Sequence, residues 1–196
     1  ASSELNATPG AFNFVGNPYQ AQVDLNQVLS RSVDINPNQY YIWDPNKNVR
    51  GGFVVVDLPS GTNSDGSEAN AIIQVNQAFF VRTGGANPKI IFNQADKVNQ
   101  NFTQVFRSNK PQDLTLIGQL YANEASNMQL TDSFIIRFDA AYTNQVNDAD
   151  AAKMGNLDEN IAIIKQNNYL SIERREMPVK GDTLDLFVNN YRFNNY

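Results

Sequence analysis

Apolar residues along the chain fall in short blocks, most of them bounded by Gly, Pro, Asn or Asp, and this pattern predicts strands. Leu114-Thr115-Leu116-Ile117-Gly118-Gln119-Leu120 alternates or runs apolar, as does Phe134-Ile135-Ile136-Arg137-Phe138, as strands with at least one buried face do. Strands are expected at Phe12–Val15, Gln39–Trp43, Phe53–Asp57, Ala71–Val75, Ala78–Arg82, Lys89–Phe92 and Thr103–Arg107, then at Asp113–Tyr121, Ser133–Asp139, Ile161–Lys165, Tyr169–Arg174 and Thr183–Val188. No stretch carries the period of a long amphipathic helix. Short helical turns are expected at Gln22–Leu29 and Asp148–Met154, where Asp or Asn stands at an N-cap position. Many strands without helices between them predict an all-β fold: an antiparallel β-sandwich or jelly-roll-like architecture with long loops.

Two aromatic runs are pinned at their ends. Phe12-Asn13-Phe14-Val15 meets Gly16-Asn17-Pro18-Tyr19, and Tyr40-Tyr41-Ile42-Trp43 meets Asp44-Pro45. Pro removes a ladder donor and biases the residue before it towards extended geometry, so each run stops at its turn. The polar stretch Leu58–Asn70 reads as a long exposed hairpin loop. From Met177 the chain turns again, and an aromatic, alternating segment closes it. The expected division is a β-sandwich module over 1–176, with 177–196 starting a following β module or supplying a strand exchanged with a neighbour.

Composition narrows the chemistry. The 196 residues include 28 Asn, while charged residues make up only 18%; Asn favours turns and is depleted from helix interiors, which fits many loops between short strands. The net charge is −5 and the cations are scattered singly, so no footprint for nucleic acid is present. No run approaches the roughly 18 apolar residues of a membrane-spanning helix. Cys and His are both absent, which removes thiol nucleophiles, the Ser-His-Asp relay, Cys/His zinc sites and imidazole bases.

Three groups of residues are candidates for chemistry. Tyr41, Trp43 and Asp44 have the composition of a sugar-stacking platform, the aromatics for the ring face and the carboxylate for hydroxyls. The competing reading turns Tyr41 and Trp43 into the core. Asn144, Asp148 and Asp150, with Asn147 and Asn156, form an oxygen-rich stretch able to ligate calcium; Asn63, Asp65 and Glu68 form another. The competing reading is a solvated turn in which Asp148 caps a short helix. Glycoside hydrolysis needs only two carboxylates flanking a cleft, but sequence nominates no pair. Glu173, Arg174, Arg175 and Glu176 read as a solvated strand face.

Six motifs occur in order: Gly16-Asn17-Pro18-Tyr19, Tyr41-Ile42-Trp43-Asp44-Pro45, Gln77-Ala78-Phe79-Phe80-Val81, Ile136-Arg137-Phe138, Asp150-Ala151-Ala152-Lys153-Met154, and Leu170-Ser171-Ile172 before Pro178. Together they resemble a module of large exported and surface proteins of the Bacteroidetes that leave the cell by the type IX secretion system. Ala78 stands where that pattern usually has a second Gly, and the C-terminal sorting domain that directs export is not in this sequence. The resemblance implies an extracellular or cell-surface location. The expected role is a non-catalytic structural or adhesive module that meets other protein modules, copies of itself or glycans. A carbohydrate-binding module of a secreted polysaccharide-degrading enzyme, and a filament subunit assembling by strand addition, are the alternatives.

Overall fold

Phe12–Gly16 (β1) pairs antiparallel with Ala78–Arg82 (β6) along its whole length, from Phe12 opposite Arg82 to Gly16 opposite Ala78. These strands belong to a four-stranded sheet of order β1-β6-β3-β4, completed by Gln39–Asp44 (β3) and Gly52–Asp57 (β4). The structure is a computed structural model and describes residues 4–98, 114–124 and 127–191, without the side chains of 123, 124 and 127. The fold is all-β: among the described residues there are thirteen strands, one α-helix and one 3-10 turn.

The chain divides into two compact units. The first comprises Ala1–Ile42, Val56–Asn63 and Glu68–Arg107, and the second Trp43–Val55, Ser64–Ser67 and Ser108–Tyr196. The backbone therefore leaves the first unit within β3 and returns to it within β4.

In the first unit, Gln22–Asp24 (β2) lies between Ile72–Ile73 (β5) and Lys97–Val98 (β7). Asp24 then ends the strand and caps a helix, Leu25–Arg31 (α1), its side chain accepting from Asn26 N at 2.9 Å. Leu25, Val28 and Leu29 occupy one face of α1 and are buried. In its last turn, Arg31 pairs with buried Asp96 at 2.9 Å. Tyr40 and Phe79 meet edge to face at 5.9 Å in the unit's interior.

The second unit is built on a sheet of order β13-β11-β12-β9-β8. Its strands are Leu114–Glu124 (β8), Asn127–Phe138 (β9), Asn160–Lys165 (β11), Asn168–Arg175 (β12) and Asp185–Asn189 (β13); Ala151–Ala152 (β10) pairs with β12. All neighbours are antiparallel except β12 and β9, which run parallel with Ile172 opposite Ile135. Phe134, Ile136 and Phe138 of β9 pack with Ile161, Ile163 and Leu170 as the core, and Ile135 on the other face is buried too. Burial on both faces is why this strand is a continuous apolar run.

Several expectations change. The turn expected over Gln22–Leu29 is β2 followed by α1, and the strand expected over Ala71–Val75 shrinks to β5. Lys89–Phe92 is no strand; Lys89 makes an isolated bridge to Val33. Thr103–Arg107 lies outside the described residues. Asp148–Met154 is a turn leading into β10 instead of a helix, because the Asp150 carboxylate accepts from Asn147 N and from Arg174 N of β12, which ties the segment to the sheet. The loop after Leu58 is exposed at Pro59, Ser60, Thr62, Gly66 and Glu68 but is tied down: Asp57 bridges Thr62, and the Asp65 side chain is only 6% exposed. Within the segment expected to open another module or to be exchanged, Asp185–Asn189 forms β13, which pairs with β11 of the same chain from Asn160↔Asn189 to Ile164↔Asp185. Glu173 does not face solvent. It is fully buried and pairs with Lys165 at 2.5 Å.

Candidate functional site

The three residues of the expected sugar platform do not share one surface. Tyr41 lies in the first unit with 0% exposure, its ring edge-on to Phe12 at 5.0 Å, and offers nothing to a ligand. Burial pushes its hydroxyl up to about 12, against the opposing pull of the Arg82 charge and the Gln39 hydrogen bond. Trp43, in the second unit, is 36% exposed; its ring stands at 80° to Phe53, centroids 4.9 Å apart, and lies against the backbone of Gly51. The Asp44 carboxylate accepts from Asn46 N at 2.9 Å and from Ser67 Oγ at 2.5 Å, so it shapes the turn after β3.

The expected calcium ligands differ in how far the protein itself uses them. Both oxygens of buried Asp150 accept backbone N–H groups, at 2.9 and 2.7 Å. Asn144 donates to Glu176 at 3.3 Å, Asn147 accepts from Ala149 N at 2.8 Å, and Asp148 is exposed. Burial raises the Asp150 carboxyl above its ordinary range even so. Of the second group, Asn63 donates to Ala69 O at 2.8 Å, Glu68 is exposed, and Asp65 belongs to the other unit. Among the described residues, no three acidic side chains converge as a metal cage would require.

What does converge is a buried ionic cluster in the second unit. Asp132, on β9, holds its Oδ1 within 3.0 Å of Lys47 Nζ and 3.3 Å of Asn156 Nδ2. Its Oδ2 accepts from Ile161 N at 2.7 Å and contacts Lys153 Nζ. Lys47 Nζ reaches Asp65 at 2.9 Å and donates to Phe53 O at 3.1 Å, and Ser133 Oγ donates to Asp65 at 2.6 Å. Asn156, expected among calcium ligands, instead accepts from Phe53 N at 2.7 Å. All four charged side chains are at most 7% exposed.

Two lysines facing two aspartates balance in charge, and every pair is tight enough to offset part of the desolvation. Burial holds Lys153 below the usual lysine range, helped by the Lys47 charge, although Asp132 pulls the other way. Lys47 is raised: burial opposes its charge, but Asp65 and Asp132 together outweigh burial. The same competition lowers Asp132, where Lys153 and Lys47 prevail over burial.

Sequence reasoning missed this cluster. One signal was present, since an aspartate ahead of the apolar run Phe134–Phe138 needs a buried partner. Its partners, Lys47 and Lys153, stand 85 and 21 residues away, and spacing does not name them. Comparison with protein-family models, with curated proteins and with solved structures yields no match.

Proposed function

We propose that the chain is a non-catalytic structural or adhesive module that works outside the cell. The observation that carries this reading is that its convergent charged side chains are sealed inside and committed to one another. Asp65 and Asp132 share Lys47, and both are buried, so they do not flank an open cleft as a hydrolase pair would. The extracellular location rests on the resemblance of the six motifs. Strand β8, at the edge of its sheet, suits contact with another protein: Leu114 and Leu116 on one face and Ile117 on the other are 52%, 41% and 53% exposed. Beads coated with the chain are expected to cluster, while chromogenic glycosides, esters and peptides stay uncleaved. Turnover that persists through repurification would overturn the reading.

One observation favours a second reading, glycan binding: Trp43 keeps part of its ring in solvent beside Phe53. Soluble polysaccharides would then quench the fluorescence of this single Trp, and Trp43→Ala would abolish retention on an insoluble glycan. Unchanged fluorescence across a glycan panel rejects it.

A further inference from the structure

The ionic cluster of the second unit has more organisation than an ion pair requires. The carboxyl of Asp132 is gripped at both oxygens: Oδ2 by Ile161 N at 2.7 Å and by Lys153 Nζ, Oδ1 by Lys47 Nζ at 3.0 Å and Asn156 Nδ2 at 3.3 Å. The amine of one lysine therefore touches a carboxyl whose far oxygen faces a second ammonium and an amide. We propose that Lys153 Nζ and Asp132 condense into an intramolecular amide, a covalent cross-link between β9 and the residue that follows β10.

The step balances within the pair. An ammonium and a carboxylate contain the atoms of one amide and one water. A proton passes from Lys153 Nζ to Oδ2, the freed amine attacks Cγ, and the Nζ–Cγ bond forms. A second proton from Nζ follows to Oδ2, the Cγ–Oδ2 bond breaks, and water leaves; Oδ1 remains as the amide oxygen. No oxidant or cofactor enters. The negative charge that develops on Oδ1 is met by Lys47 Nζ and Asn156 Nδ2, the arrangement that stabilises tetrahedral intermediates in acyl transfer.

Three observations favour condensation over a lasting ion pair. Burial holds Lys153 below the usual lysine range, which brings its nucleophilic amine form within reach. Lys47 stays charged, because Asp65 supports it at 2.9 Å and Asp65 is itself fixed by Ser133 at 2.6 Å. Finally, forming the amide removes two buried charges and leaves Lys47 and Asp65 as a neutral pair, which relieves the desolvation cost of a four-charge interior. The cross-link would close a loop between residues 21 apart in a chain that has no Cys for a disulfide.

Intact-mass measurement of the folded full chain tests this directly. The expected mass is below the sequence mass by one water, and peptide mapping is expected to recover a branched species joining the Asp132 and Lys153 peptides. Lys153→Arg keeps the charge and is expected to restore the full mass in a folded protein. Lys47→Met removes the donor to Oδ1 and is expected to raise the uncondensed fraction at least tenfold. Full sequence mass in the folded wild-type chain overturns the proposal. So does a branch mapped to Lys47, or a lost water mapped to a cyclised Asp elsewhere.

Discussion

Single glycines decide where the aromatic side chains can lie. Gly51 has φ of +80°, and a Cβ there would sit 2.6 Å from Trp43 Nε1; the indole occupies the space that a side chain would need. Gly118 does the same service in mid-strand, its missing Cβ leaving room for the ring of Phe134, its partner across the β8–β9 ladder. Gly51→Ala meets both a left-handed backbone and the indole. Its expected cost is about 1–3 kcal/mol, measured as a shift in urea midpoint, with a red shift of Trp43 emission as the ring is pushed outward. Unchanged stability and emission would show that the turn relaxes freely. At this scale the aromatic runs were legible as strands, but the division between buried Tyr41 and half-open Trp43 was not. Alternation puts both on one face, whereas the chain leaves its first unit between them.

Elements form here because local chemistry stops one period and starts another. Asp24 ends β2 and accepts from Asn26 N, so the same residue that interrupts the strand nucleates α1. Asp24→Ala removes that acceptor and is expected to cost about 1 kcal/mol in urea unfolding, with little change in the β signal of circular dichroism. An unaltered midpoint would mean that burial of Leu25, Val28 and Leu29 holds the helix unaided. Strands with buried faces, such as β11, β12 and the second half of β9, were readable from the sequence because their pattern is imposed by the core; β8 was readable from its apolar run although Leu114, Leu116 and Ile117 are exposed, and Asn127–Asp132 of β9 was not expected. Lys89–Phe92 misled because its apolar residues pack from a loop with a single bridge. Asp148–Met154 misled because a capping carboxylate looks alike in sequence whether it serves a helix or, as Asp150 does, the backbone of a neighbouring strand.

Buried charge determines how the whole molecule responds to pH, and it was the least legible feature because its members come from distant positions. In the first unit the Asp96 carboxyl is held below its usual range: burial acts against it, but the Arg31 hydrogen bond and the backbone of Asn93 prevail. A carboxyl depressed by folding adds stability that is fully present above its unfolded pKa, near 4, and is lost as pH falls through the folded value. The urea midpoint is therefore expected to fall on acidification below about pH 4. Asp96→Asn should cost about 1–3 kcal/mol at neutral pH by breaking a charged hydrogen bond, and should make the acid limb shallower. Asp150, raised by burial, works in the opposite direction and limits the total slope. Asp132 distinguishes the two states of the second unit. As a free carboxylate it is depressed and adds to the acid limb, but joined to Lys153 it has no proton to bind. Comparing wild type with Lys153→Arg thus reads the cross-link through pH alone: a steeper acid limb in the variant is expected, and identical limbs would mean that Asp132 titrates in both.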